Sequence, residues 1–415
     1  MRKEILKLQE KEISIEVTGN VIASVRNKDI VKKGARVFND GRIYSSSYVG
    51  NIDEEKLIAL ALENSDGSIE FDYPLQNCTD NKRSALSEET KNQDILYADY
   101  GELLAELVKK YPEFIFSGKA NLCRVTKELK VAEQAKQTTQ KVDYDFCSWY
   151  LCYKHKKSAG IIDGYFGADT IAGYDLKNEA RKYYKYLDVF TKMVTLQAGK
   201  LPVVFVQSSQ LLSKLLESVR ADYYKKDIGL FKGMLGKKIL NNKFTLSDVS
   251  YMPERGSVVL FDGDGIVREN PIFPLVKEGV FQNLICDLRN AKKYNLSPTG
   301  NGQRSFDTST TLGFNKVFIE GGSRSVQDIL NDLPECLIVE MAAGGDFTDT
   351  GDYSTPVQNG FLAKNGVITG KLPQITLKSS LQKMLGDDLI EISSNSFSGL
   401  EYNSAIFTEM NVLLN

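Results

Sequence analysis

Apolar and polar positions alternate through EISIEVTG and again through RIYSSSYVG within residues 12–50, and this two-residue period predicts half-buried β-strands. Asn39-Asp40-Gly41-Arg42 lies between such runs, and Asp-Gly there predicts a tight hairpin turn. The period changes after Asp53, where two acids precede LIALALEN at helical spacing, so Asp53 is the expected N-cap of a helix. Residues 74–94 are polar and patternless, and are expected to form a linker or long loop. A helix is expected at about 96–110, and alternation returns over 113–157, as in KVDYDFCSWYLCYKH. Residues 174–197 place apolar side chains at three- and four-residue steps, which predicts one helix whose tyrosines serve packing. LPVVFVQ at 201–207 predicts a short buried strand, and SSQLLSKLLESVRADYY an amphipathic helix after it. Short strands dominate from 255 on, with KNGV at 364–367 as a second hairpin turn and Ser325 as a helix N-cap.

Together these elements predict an α+β protein. Its expected parts are an N-terminal α/β sandwich-like domain over 1–73, the linker at 74–94, and a middle α+β segment over 95–200 packed against the first. A C-terminal domain over 201–415 is expected to be a mostly antiparallel β-sheet or pseudo-barrel.

Composition narrows the function. The 52 Lys and Arg balance 54 Asp and Glu, a net charge of −2, which argues against nucleic acid as a partner. No apolar run approaches a membrane span, and MRKEILKLQEKEISIEV is charged throughout, unlike a secretory signal. A cytoplasmic protein with reduced cysteines is therefore expected; the six cysteines form no CxxC pair. The single histidine, His155, excludes any site that needs two imidazoles from one chain. By its strand-like surroundings it is expected at the surface.

FDGDGIVREN, residues 261–270, begins like a calcium loop. An EF-hand needs oxygen donors at positions 1, 3 and 5 and a glutamate at 12. Starting from Asp262 puts Ile266 at position 5 and Phe273 at 12; starting from Leu260 puts Pro271 at 12. Both registers fail, and a tight turn with glycines at positive φ is the expectation.

The neighbourhood of that turn resembles the TldD/PmbA family, once called modulators of DNA gyrase and regarded as microcin-processing peptidases. The resemblance rests on Asp262–Gly265, Glu278–Val280, Arg289–Lys293 and Pro298–Gly302 in order, then Gly351-Asp352-Tyr353-Ser354 and Asn365-Gly366, with RVFNDGR near the N-terminus. It is weakest over 70–200. In the family's catalytic branch, a strand leads into a helix bearing HExxxH, whose histidines hold zinc with help from a late Cys-Gly segment. Overlaying LLSKLLES on that helix puts Ser213 and Ser218 at the histidine positions and Lys214 at the glutamate position. NSFSGLEYNSAIFTEM lacks the ligand cysteine.

The resemblance is therefore to the TldE/PmbA-like branch, which lacks HExxxH. It implies a non-catalytic subunit that pairs with a TldD-type zinc protease subunit, or with itself, around a cavity for unfolded peptides. No metal or cofactor is expected in this chain; zinc would belong to the partner. Asp352, Tyr353 and Ser354, with Gly344 and Gly345, are candidates to line the peptide cavity, and a tight turn or bulge is the alternative for both segments. The remaining alternative is a stand-alone homodimeric peptide-binding or scaffold protein. Ser380 and Lys383 match a Ser/Lys nucleophile spacing, but the KTG partner of such enzymes is absent and Tyr402-Asn403 is a forced substitute.

Overall fold

The computed structural model describes residues 1–414 apart from 65, 66, 88–92, 172, 174 and 343. Its first half is one long antiparallel sheet built from hairpins. Strands β1 (Arg2–Thr18), β2 (Val21–Asn39) and β3 (Arg42–Val49) are followed by β4 (Phe114–Glu133), β5 (Lys136–His155) and β6 (Gly164–Ile171). They lie in the order β3-β2-β1-β4-β5, with β6 on the far side of β5. The β2–β3 turn uses Asp40 and Gly41 at φ 49° and 71°, the paired left-handed conformations of a two-residue hairpin. Within the expected linker, Asn81–Ala85 adds a parallel strand beside β5, and residues 88–92 of that stretch lie outside the described residues.

Helix α1 (Glu54–Glu63) starts at Asp53, whose carboxylate accepts from the amides of Glu55 and Lys56 at 3.0 and 3.1 Å. Helix α2 (Gln93–Lys110) lies on the sheet. The single helix expected over 174–197 is instead two short ones, α3 (Leu176–Arg181) and α4 (Tyr184–Leu187). Tyr183, Tyr184, Tyr186, Leu187 and Phe190 are all buried, and one straight helix cannot turn adjacent residues all inward.

The second half closes into a five-stranded barrel. Strands β7 (Gly199–Phe205), β8 (Cys336–Ala342), β9 (Asp352–Lys364), β10 (Ile375–Ser380) and β11 (Ile406–Leu414) run in the order β8-β7-β11-β10-β9, and β9 pairs back onto β8. Only β7–β8 is parallel among these pairs. The continuous apolar run of β7 has a simple cause. Val203 and Phe205 point into the barrel core, while Val204 and Val206 point out into a second core. Leu337 and Ile338, and Leu362 and Phe361, divide in the same way. That second core also contains Trp149, Phe116 and Phe166 of the N-terminal sheet, so the two halves share it.

The FDGDG turn fastens the same two halves from another side. Asp262 accepts from the amides of Asp264 and Ile266 through one oxygen and of Gly302 through the other, all within 2.9 Å, and Gly265 has φ 81°. Arg36 of β2 donates to the Gly263 carbonyl at 3.1 Å and Gln140 of β5 to that of Gly265 at 3.0 Å. The stretch is a docking turn. Burial and the neighbouring Asp264 push Asp262 up to about 7. Nearby, Asn301 of the PTGN stretch is fully buried, donating to Asp248 at 2.8 Å and accepting from Arg268 at 2.6 Å.

His155 is buried, contrary to its expected surface place. Its ring packs against Phe114 and Phe190, and its amide donates to Asp163 at 2.7 Å.

Candidate functional site

The helix that follows β7 is also broken. A 3₁₀ turn at Ser208–Leu211 precedes α5 (Ser213–Ser218), and the extended Arg220 ends that run. Leu211, Leu212, Leu215 and Val219 are fully buried and pin one face into the barrel core. The two amides that open the turn, those of Ser208 and Ser209, donate to the carboxylate of Glu401 at 2.6 and 3.3 Å. Burial raises the Glu401 carboxyl above its ordinary value against those bonds.

That packing separates the three positions that the expected overlay sets against HExxxH. Ser213 is exposed, whereas Ser218 is fully buried. Ser213 faces solvent and Ser218 faces the core, so in this chain the two hydroxyls lie on different sides of the helix. The Ser218 hydroxyl donates to the Lys214 carbonyl at 2.9 Å and accepts from the Leu230 amide at 3.0 Å, which commits it to structure. Lys214 places its ammonium 3.0 Å from Glu217 and 3.2 Å from Asp349, and the Glu217 hydrogen bond holds its pKa above the ordinary value. Zinc asks for nitrogen, thiolate or carboxylate donors in a tetrahedron. Two serines and a paired ammonium do not supply them. The residues here do not fit the metal, and among the described residues no group of three His, Cys, Asp or Glu is placed to hold one.

The Lys214–Asp349 pair joins α5 to the loop that leads into β9, so the structure brings together two of the segments singled out from sequence. Gly344 lies at φ 64° in open space. Gly345 approaches its own sheet: a Cβ there would stand 2.3 Å from Cβ of Thr355. Tyr353 points into the barrel, where it packs against Phe347 and Phe205 with ring centroids 4.7 and 6.5 Å away. Asp352 and Ser354 alternate to the exposed outer face, and Asp352 accepts from the Thr350 hydroxyl at 2.9 Å. Ser380 caps the short helix Leu381–Met384, its hydroxyl accepting from the Lys383 amide at 3.3 Å. Tyr402 and Asn403 each accept a backbone amide, from Ile171 and Ile319.

Sequence reasoning missed a buried polar group at the seam of the two halves. Glu340 of β8 accepts from Tyr153 of β5 and from Asn359 of β9, and all three are buried. The available signal was an acid inside the apolar strand CLIVEMA.

The barrel and the strand-linked helix at its rim lie within a stretch that matches a known family of domains. Residues 198–412 match the PmbA/TldA metallopeptidase C-terminal domain, and the chain belongs to that family. It is 23% identical to an uncharacterized protein of Methanocaldococcus jannaschii, over 88% of this chain and 85% of that one. To an Archaeoglobus fulgidus metalloprotease it is 21% identical, over 92% and 89%. The fold matches TldE from Thermococcus kodakarensis with a TM-score of 0.80 at 18% identity, covering 100% of this chain and 97% of that one.

Proposed function

We propose that this chain is a TldE/PmbA-like subunit without a catalytic metal of its own, which pairs with a TldD-type zinc metalloprotease subunit and helps bind unfolded peptides for processing. The observation that carries this reading is Lys214. A paired ammonium stands where the catalytic branch needs the carboxylate that deprotonates water, between two serines that face apart. Such a chain can contribute walls and peptide contacts but no activated water. Family membership supports the protease setting, and the TldE likeness supports the fold of this branch. Extended peptides suit a β-rich partner because added-strand pairing reads the main chain and tolerates many side chains. No described helix is long and apolar enough to cross a membrane, and the proposed setting of the pair is the cytoplasm.

The test is reconstitution with a TldD-type chain from the same host. The chain alone is expected to hold no stoichiometric zinc and to cleave nothing, and the pair to cleave unstructured peptides. Lys214→Ala should leave cleavage by the pair within about twofold, because Lys214 takes no part in the chemistry. One tightly held zinc per isolated chain, or cleavage by it, overturns the reading. Peptide binding by a homodimer that recruits no such partner would favour the stand-alone alternative.

A further inference from the structure

Strand β6 is an edge of the N-terminal sheet. It pairs with β5 along its length, and among the described residues its other side carries one isolated β-bridge, parallel, between Ala168 and Gly399, besides its contacts with β8 near Glu340. Two outward amides of β6 are covered from that side. Asp169 donates to the Gly399 carbonyl at 2.9 Å, and Ile171 donates to the Tyr402 hydroxyl at 3.0 Å.

The covering segment is fixed at both ends. The Asn395 side chain accepts from the Val326 amide at 2.9 Å, and Glu401 holds the Ser208 and Ser209 amides. Between these anchors, the backbone hydrogen bond that joins Ser396–Leu400 to β6 among the described residues is that from Asp169 to Gly399. Phe397, half-buried against the shared core, favours the closed position. Glycine is required at the crossing: a Cβ at 399 would stand 2.8 Å from Ala168 Cβ, 2.9 Å from the Gly167 carbonyl and 3.0 Å from Glu179 Oε2.

Beside the crossing is a cavity of about 430 Å³, whose lining includes Glu179, Tyr183, Ser398 and Gly399. Glu179 Oε2 is sealed from solvent without a hydrogen-bond partner, and the Tyr183 hydroxyl, likewise sealed, faces Ser398 without reaching hydrogen-bond geometry; Tyr183 as a whole is only 5% exposed. The other oxygen of Glu179 pairs with Lys182 at 2.6 Å. Polar atoms buried without partners oppose the closed state. One backbone bond on one side and two unsatisfied atoms on the other make this a segment of low opening free energy.

We propose that Ser396–Leu400 is a displaceable strap that occupies, in the resting chain, the edge of β6 on which the main chain of an extended peptide pairs. The inference rests on the peptide-binding reading above and adds an internal competitor to it. Displacement frees the Asp169 amide for a peptide carbonyl and exposes Tyr183 and Glu179 to peptide N–H donors. Apparent affinity is then reduced by the fraction of chains whose strap is closed.

Hydrogen exchange on the full chain without peptide tests the strap itself. The Asp169 amide of the wild type is expected to exchange about a hundredfold faster than the amides of the β4–β5 hairpin core. Gly399→Val should speed it by about a further tenfold and tighten binding of a fluorescein-labelled, unstructured ten-residue peptide by about tenfold. A wild-type Asp169 amide as protected as the hairpin core overturns the proposal even if the variant does not fold. So does a variant with a freed strap and unchanged peptide affinity. Failure of both proteins to bind the peptide, alone or with a TldD-type partner, would instead sink the peptide-binding reading and the strap's occupant with it. The exchange result separates the two failures.

Discussion

Tyr153 and Glu340 join the two halves of the molecule across their shared core. The Tyr153 hydroxyl donates to Glu340 Oε2 at 2.5 Å, and the Asn359 amide donates to the same oxygen at 2.7 Å. Gly164 makes room, since a Cβ there would stand 2.5 Å from the other carboxylate oxygen. Burial pushes the Glu340 carboxyl up to about 8, against the opposing pull of the Tyr153 hydrogen bond. The folded protein therefore keeps Glu340 protonated at neutral pH.

This proton makes stability fall with rising pH. The unfolded chain releases it near the ordinary value of 4.5 and the folded chain only near 8, so the folded state binds more protons in between. Glu340 contributes a loss that begins above about 4.5, grows until about 8 and then levels off, totalling on the order of a few kcal/mol. Asp262 adds a loss of the same sign up to about 7. Thermal unfolding between pH 5 and 9 should show a declining Tm in the wild type and a flatter profile in Glu340→Gln. Equal slopes in the two proteins would refute the assignment.

Glu4 works in the opposite direction. Burial resists its charge, but the guanidinium groups of Arg36, Arg304 and Arg2 outweigh burial and hold the carboxyl below its ordinary value. Its contribution is present above that ordinary value and is lost as pH falls through the lowered one. Glu4→Gln leaves three buried cations without this counterion and should cost about 3–5 kcal/mol in urea unfolding at pH 7.

Tyr353 should behave as a core residue. Tyr353→Ala empties space beside Phe347 and Phe205 and should cost about 3–5 kcal/mol, whereas Tyr353→Phe keeps the ring and should cost little. Asp352→Ala and Ser354→Ala, on the outer face, should unfold within about 0.5 kcal/mol of the wild type. Denaturant midpoints of the four variants decide the matter, with equal losses at 352 and 353 as the contrary result.

Gly34 marks a close approach of the two halves. A Cβ there would lie 1.6 Å from the Phe306 carbonyl oxygen, which is backbone and cannot swing aside. Gly34→Ala should therefore lower the Tm by several degrees through the seam alone. An unchanged Tm would show that the loop at 306 yields freely.

The local signals in the sequence were legible because they depend on few residues. Asp40-Gly41 and Asn365-Gly366 form the expected hairpin turns, and Asp53 and Ser325 cap the expected helices. The missing HExxxH histidines were legible from residue identity alone. The breaks at Tyr183 and Arg220 were not, because the helical period there is overruled by cores on more than one side. The same is true of Ser218, which turns inward only because Leu215 and Val219 anchor its helix. Barrel closure joins β8 to β9 and β7 to β11, the latter across some two hundred residues, and no local pattern announces such pairings.

The outward-facing Val204, Ile338, Phe361 and Phe407 have a consequence for how the molecule can be cut. Severed from its first two hundred residues, the barrel would carry a greasy wall with nothing over it, and the hairpin sheet would lose its floor. Neither fragment is a self-sufficient unit, so melting should proceed as a single cooperative step and truncations near residue 200 should precipitate.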